Sequence, residues 1–445
     1  MLKRPPKLDE VIECVHDPIV NRKKCVVVIP TYNQKYMTCK VIEMLMNQSF
    51  VPDVIVVDGG STDGTAEFLL SKFEDIILIR TGDYGGAGSQ YIGGLYAFKE
   101  GYEIVIFSDN DAVPVSEDMV ERIVRYIENL SPTERSEILV APTDIYYKIW
   151  RGGEVTDEAL IVHSQGFWYL TAHRDFIEMK GLPLFYFFLF YDDVEYTSRA
   201  KAIHLLRTTH YYHPFKISRC DRIYYIFRNY LYASSFKNFP HLTNAILSLF
   251  VFFTGFHFLS KWSCIKFAIK GMLSFILGIK INVKPKRSID EDEVIRIKDI
   301  KENNVMITMK NFGKPSWEYF NINDYSWITK PKKSFKLFVD AIFKYEYLLT
   351  SSNCCSNYYV SFPFRKIIWL LLSEKGDHQG ILIERNLAKY LACLITYPPI
   401  LLFFSFFLLA SLVKVFIYRN ILKINSIGYG TIKTGHSIFL GVKRI

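Results

Sequence analysis

The sequence predicts an α/β fold built on a mixed sheet with flanking helices, and three observations predict it. Short β-rich runs, CVVVI at 25–29, Val54 to Val57, Ile76 to Ile79 and Glu103 to Phe107, alternate with helix-length segments. The runs are apolar throughout rather than every second residue, the pattern of parallel strands covered on both faces. Acidic or glycine-rich clusters follow these runs directly, at the sheet rim where open α/β folds bind ligands.

The elements follow in order. Residues 1–22 are polar and contain prolines, and read as a surface leader; without an apolar core segment they do not read as a cleavable signal peptide. A domain over 23–232 starts with CVVVI and Pro30-Thr31-Tyr32-Asn33, then a helix from Tyr36 to about Met46. The strand ending at Val57 meets Asp58-Gly59-Gly60-Ser61-Thr62-Asp63-Gly64, which opens a helix over 65–73. A helix over 89–100 precedes IVIF at 104–107, and 138–230 holds mixed strands and loops. Residues 233–283 read as apolar and amphipathic membrane-associated helices: no fixed charge falls between Lys237 and Lys261, and Lys266 and Lys270 sit one turn apart among apolar residues. Residues 284–385 are charged, an accessory region or linker. Residues 386–420 form a transmembrane segment, with 391–413 uncharged throughout; at ~1.5 Å per residue that length crosses a hydrocarbon core of ~30 Å. Pro398-Pro399 would kink it or make a re-entrant hairpin. The 421–445 tail is basic, and from Lys414 onward there is no Asp or Glu, which favours a cytoplasmic tail.

Composition narrows the class. A chain of 445 residues suggests two or three domains, and 50% hydrophobic with 16% aromatic residues points to membrane contact. The net charge of +9 is spread along the chain, which excludes a nucleic-acid stripe and suits anionic headgroups or phosphorylated substrates. Eight cysteines form no Cys-x-x-Cys pair, so zinc ribbons and thioredoxin-like chemistry are excluded and a reducing compartment fits.

Five constellations carry chemistry. Asp58, at a strand end before glycines, can accept the N–H of a uracil or thymine ring; Asp63 or Thr62 can cap the next helix. Gly85-Gly86-Ala87-Gly88-Ser89 opens a helix and suits a phosphate or sugar hydroxyl, although Tyr91 breaks the dinucleotide fingerprint. Ser108-Asp109-Asn110-Asp111 offers carboxylates to a hard divalent cation on a diphosphate; an exposed acidic turn is the plainer reading. Asp192-Asp193-Val194-Glu195, after the apolar GLPLFYFFLFY, can supply a general base with raised basicity, or only acids at a helix start. Among His204, His210 and His213, one neutral imidazole can complete a cation's ligand set, and His213 is favoured because it follows strand-like Tyr211-Tyr212.

In this order the pieces CVVVIPTYN, IVVDGGSTDGT, GGAGSQYIGG, FSDNDA, FYDDVEYTSRA and YYIFRN resemble an inverting family-2 glycosyltransferase with the GT-A fold, over roughly 25–230. The GGAG and DDVEY segments are most similar to the galactofuranosyl- and rhamnosyl-transferase branch. The resemblance implies that Asp58 contacts the nucleobase, with Pro30, Thr31 and Tyr32 lining its pocket. Asp109 and Asp111 would hold Mn2+ or Mg2+ and the diphosphate, with His213 or His210 as a further ligand. Gly86, Gly88 and Ser89 would border the donor sugar. Asp193 would be the catalytic base, oriented by Asp192. Asn110 departs from the branch, which tends to carry a third Asp there. The implied protein is membrane-anchored with its catalytic domain facing the cytoplasm; its partners are a nucleotide sugar, a lipid-linked or glycan acceptor and the membrane, not nucleic acid. Two rivals remain: a sugar nucleotidylyltransferase, whose glycine-rich basic phosphate loop CVVVIPTYNQK lacks, and a catalytically inactive membrane-bound binding protein.

Overall fold

A computed structural model describes residues 5–144, 156, 158–212, 220–237, 239–258, 262–278, 294–296, 305–307, 328–329, 347–351, 366–371, 379–384 and 387–417. The chain divides into two units, Met1–Pro214 with Lys423–Ile445, and Phe215–Leu422.

The first unit runs β1 (Ile12–His16), β2 (Cys25–Thr31), α1 (Lys35–Met46), β3 (Asp53–Asp58), α2 (Thr65–Lys72), β4 (Ile77–Thr81), α3 (Gly85–Lys99) and β5 (Ile104–Phe107). It continues with β6 (Val113–Pro114), α4 (Met119–Asn129), α5 (Pro132–Glu137), β7 (Ile138–Asp144), β8 (Ala159–Val162), β9 (Leu170–His173), α6 (Arg174–Lys180), α7 (Asp192–Thr197) and β10 (Ala202–Tyr212). The strands make one sheet in the order β1-β4-β3-β2-β5-β9-β7-β10-β6, with β8 beside β10. Strands β4, β3, β2 and β5 are parallel. The chain steps outward from β2 through β3 to β4, then returns to the other side of β2 with β5. That reversal opens a crevice beyond the carboxyl ends of β2 and β5.

The continuous apolar runs are explained by burial on both faces. Val26, Val28, Ile55, Val57, Ile77 and Ile79 pack with Tyr91, Ile92 and Leu95 of α3. Their neighbours Val27, Ile29, Val54, Val56 and Leu78 pack on the other face with residues of α1, α2 and α4. Helix α3 begins earlier than its sequence pattern predicts, so the glycine cluster forms its first turn. Glycine is a poor helix former, but a Cβ at Gly93 would stand 2.3 Å from a Val28 methyl. Helix α3 thus lies closer to β2 than a side chain at 93 would allow. The N-terminal leader is corrected: Ile12–His16 adds an antiparallel edge strand to β4, and Val11 is buried. The strand is mostly exposed, so its sequence carries no alternation.

The second unit holds α8 (Ile223–Lys237), α9 (Phe239–Phe258), α10 (Trp262–Leu277) and α11 (Leu387–Phe416). Between them, β11 (Val294–Arg296), β12 (Val305–Ile307), β13 (Ile328–Thr329), β14 (Tyr347–Ser351), β15 (Lys366–Leu371) and β16 (Gln379–Glu384) form a second sheet. The sequence predicts the first domain's end at 232; the division falls instead at Pro214. The reason is that Phe227 and Leu231 of α8 share a core with Leu242, Ile246, Ala268 and Met272. Helix α11 buries Phe404, Phe407 and Val415 and exposes Leu402, Phe406, Leu409, Val413 and Phe416. Pro398 and Pro399 lie inside one continuous helix rather than a hairpin. Pro398–Phe416, 19 residues, is long and apolar enough to cross a membrane by length and composition; among the described residues α9 is not. Cys14, Cys25 and Cys39 are free thiols, whereas Cys264 on α10 is disulfide-bonded.

Candidate active site

The rim of the switch point gathers three sequence clusters by register alone. Thr31, the last residue of β2, pairs with Asp58, the last of β3, and Asp58 pairs with Arg80. Phe107, the last of β5, pairs with Val28, and the Ser108 amide donates to the Val28 carbonyl. Asp109 therefore starts one short step from the end of β2.

Asp58 is fully buried. Its Oδ1 accepts the Ser61 amide at 3.0 Å and the Ser61 hydroxyl at 2.5 Å. Its Oδ2 is buried and accepts no hydrogen bond among the described residues, with Arg80 Nε 3.9 Å away. Burial pushes the Asp58 carboxyl above its usual range, against the opposing pull of Ser61 and Arg80. A buried acceptor without a donor is costly unless something else supplies one. Asn33 braces the turn: its amide donates to Ser61 Oγ at 2.8 Å, and its Oδ1 accepts the Thr62 amide at 2.7 Å. Thr31 is held by Thr38 at 2.7 Å, and Pro30 and Tyr32 are half-buried beside it. Asp63 takes the Thr65 amide at 3.1 Å, a local capping role.

The acidic turn is Ser108 to Ala112. Asp111 is buried and Asp109 half-buried. Trp168 Nε1 donates to Asp109 Oδ2 at 3.1 Å. The second acidic cluster opens α7, where Asp192 is buried and Asp193 half-buried, its Oδ1 accepting the Val194 amide at 2.7 Å. Burial, then the charge of Asp193, then that of Asp109, hold the Asp192 carboxyl well above the usual carboxylate range. Local backbone donors oppose this and lose. Asp109 and Asp192, remote in sequence, thus share one electric field. Helix α7 is fixed by Glu195, which pairs with Arg199 at 2.5 Å with both side chains buried. Arg199 also donates to the carbonyls of Lys180 and Leu182 at 3.0 and 2.8 Å. Just before Asp192, Phe188, Phe190 and Tyr191 all have positive φ, a conformation costly for side-chain-bearing residues. The Phe188 carbonyl accepts the Ala87 amide at 3.2 Å, and Gly85, at φ +72°, leaves no room for a Cβ against Phe188. The aromatic segment is thereby seated on the first turn of α3.

In that turn, Gly86 faces open space, a Cβ at Gly88 would meet Tyr84 at 2.5 Å, and Ser89 is buried. Of these three, only Gly86 presents room for a ligand. His204 pairs with Tyr126 at 2.8 Å, away from the acids, and burial lowers its pKa. His210 Nδ1 meets Thr143 Oγ1 at 2.9 Å. His213 lies outside the described residues; the preceding Tyr212 pairs with Val113, close after Asp111. Among the described residues no group of three or more His, Cys, Asp or Glu forms a ready-made metal cage.

The family model described as glycosyl transferase family 2 matches residues 26–134, the segment from β2 through α4 that carries Asp58, Asp109 and Asp111. The chain carries a family-2 glycosyltransferase domain. Its mixed sheet with flanking helices is the GT-A fold, and the chain is a glycosyltransferase enzyme. Among solved structures, S. aureus TarS 1–349 in complex with UDP shares 15% identity over 58% of this chain and 76% of its own, with a TM-score of 0.36. The complex of TarS 1–349 with UDP-GlcNAc gives 16% over 58% and 93%, TM-score 0.36. The mannosyltransferase PcManGT from Pyrobaculum calidifontis, in complex with GDP-Man and Mn2+, gives 15% over 61% and 79%, TM-score 0.37. Comparison with curated proteins finds no match.

Three residues of this glycosyltransferase domain escape sequence reasoning. Arg80 stands beside Asp58 through strand register, which one chain does not display. Gln90 Nε2 donates to the Ser108 carbonyl at 3.0 Å from inside α3. Trp168 reaches Asp109 from a loop whose direction depends on one backbone torsion. The only prior signal for Trp168 is a tryptophan two residues after a glycine and just before a strand.

Proposed function

We propose that this glycosyltransferase moves a sugar from a nucleoside diphosphate sugar, UDP- or dTDP-linked, to a hydroxyl of a lipid-linked or cell-surface glycan, with inversion at the anomeric carbon. One observation carries the reading: Asp192 at the start of α7 feels the charge of Asp109 at the end of β5. On this reading the two acid clusters, separated in the sequence, serve one rim.

The roles follow from what each carboxylate can do. Asp58 Oδ2, a buried acceptor, takes the ring N–H of the base, with Pro30, Thr31 and Tyr32 beside it. Asp193 is the more exposed of the adjacent pair and accepts the proton of the acceptor hydroxyl. That oxygen bonds to the anomeric carbon as the bond from that carbon to the diphosphate oxygen breaks. No covalent enzyme intermediate intervenes, so configuration inverts. Asp192, whose carboxyl is pushed upward by burial and then by the charges of Asp193 and Asp109, holds its neighbour's orientation. Gly86 lets the donor sugar approach α3. Positioning and fixed electrostatics supply most of the rate.

The donor set suits a hard divalent cation, Mn2+ or Mg2+. Asp109 and Asp111 offer oxygen ligands, and the field of Asp109 reaches as far as Asp192. Asp109 and Asp111 would hold the cation, with His213, or His210, as the candidate further ligand. When bound, the cation neutralises charge on the departing diphosphate. The exposed apolar side of α11 supports membrane anchoring, with the catalytic domain on the cytoplasmic side as the basic tail favours. A tether raises the effective concentration of a lipid-borne acceptor.

Screening a panel of nucleotide sugars for hydrolysis and transfer tests this reading. One uridine or thymidine donor is expected to turn over, and Asp193→Ala is expected to slow transfer by about 10²–10⁴-fold. Full transfer by Asp193→Ala would remove the base assignment.

A further inference from the structure

Two consecutive aromatic residues grip the acidic turn from the same side, which an ordinary extended strand does not permit. Side chains alternate between faces along extended backbone. Phe167 packs in the core on the α3 side of the sheet and Tyr169 in the core on the opposite side, while Leu170 returns to the first. Trp168 packs with Tyr169 against that second core. Tyr169 has φ +57°, and this left-handed turn breaks the alternation, a conformation that side-chain-bearing residues keep only where their surroundings enforce it.

The result is a set of contacts on one short turn. The Trp168 indole N–H meets Asp109 Oδ2 at 3.1 Å. The Tyr169 hydroxyl donates to the Ala112 carbonyl at 2.6 Å. The indole itself is held: a Cβ at Gly166 would stand 2.9 Å from its ring atoms. It also packs near the Tyr211 ring at 6.0 Å, whose hydroxyl accepts from Gln165 at 3.3 Å.

The geometry points to a clamp: Trp168 and Tyr169 are positioning residues that set the orientation of Asp109 and the span of the 108–112 turn for cation binding. Trp168 satisfies one carboxylate oxygen of Asp109 and so limits how that group can turn toward a cation. Tyr169 holds the end of the turn through the Ala112 carbonyl. This rests on the proposed cation role of Asp109. Partners that orient ligand side chains commonly change metal affinity about 10–100-fold when removed.

The test is Mn2+ binding to metal-free full-length protein, followed by the electron paramagnetic resonance signal of free Mn2+, for wild type, Asp109→Ala, Trp168→Phe and Tyr169→Phe. Thermal melts check folding. The expected result is an Asp109-dependent site that Trp168→Phe weakens about tenfold or more, while the protein remains folded. The companion turnover assay is expected to show a raised Mn2+ requirement that added Mn2+ offsets. If Trp168→Phe does not fold, Tyr169→Phe, which loses only the hydroxyl, carries the same expectation of weakened binding. Wild-type Mn2+ affinity in the folded variants overturns the clamp and leaves the Asp109 site standing. Mn2+ binding that Asp109→Ala leaves unchanged overturns the cation site itself, and the clamp with it.

Discussion

Asp192 and Asp193 are chemically identical neighbours with different surroundings, and that difference divides their work. Asp192 is buried beside two other carboxylates, so its folded pKa lies above the unfolded value. A carboxyl shifted upward contributes stability that is complete below the unfolded pKa, near 4, and is lost as pH rises through the folded pKa. Asp192→Asn cannot ionise. In EDTA, its melting temperature is expected to match wild type at low pH and to exceed it increasingly as pH rises through the Asp192 titration. Parallel melting curves across that range would mean that the Asp192 carboxyl is not shifted upward in the folded protein. The same variant is expected to lose transfer activity, because the site keeps a destabilising acid that function requires. Sequence alone revealed both carboxylates but not which one is buried, since burial depends on how the aromatic segment before them sits on α3.

At the scale of elements, the most exposed dependence is the anchoring of α7. Glu195 and Arg199 are paired and buried, and Arg199 ties α7 to the carbonyls after α6. Removing one partner leaves a buried charge without its counterion, at a cost of about 3–5 kcal/mol. Glu195→Gln is expected to lose stability of that order in urea unfolding, with transfer activity falling as α7 loosens. A loss near zero would show that the pair adds nothing to the fold. The parallel strands β2, β3 and β5 were legible because burial on both faces demands unbroken β-branched runs. Their terminal acids Asp58 and Asp109 were legible for the same reason, since they punctuate those runs. Strand β1 was not legible, because IECVH is mostly exposed and carries no alternation. The clamp at Trp168 was not legible either, because a left-handed torsion at Tyr169 overrides strand periodicity.

At the scale of the whole molecule, the chain joins an α/β catalytic unit to a second unit whose last helix exposes an apolar stripe. The stripe recurs every three or four residues, Leu402, Phe406, Leu409, Val413 and Phe416, opposite the buried Phe404, Phe407 and Val415. A charged residue near the centre of a membrane helix costs about 2.5–3.5 kcal/mol on insertion scales. Leu402→Asp with Phe406→Asp is therefore expected to move the protein from the membrane fraction to the soluble fraction after a carbonate wash. Unchanged membrane retention would place the attachment elsewhere. The length of the apolar stretch was readable directly, but its path through Pro398 and Pro399 was not, because a proline pair inside a helix argues for a kink or a hairpin, whereas the helix continues through both.

The claim on which all three scales depend is that acids from β5 and α7 serve one donor-binding cleft, with Asp109 on the cation side and Asp193 on the acceptor side. Calorimetric titration of UDP into wild type, Asp109→Ala and Asp193→Ala, each with and without Mn2+, tests it most directly. The predicted result is UDP binding that Mn2+ strengthens in wild type and in Asp193→Ala but not in Asp109→Ala. Mn2+ strengthening that survives intact in Asp109→Ala, or is absent from wild type, would contradict it.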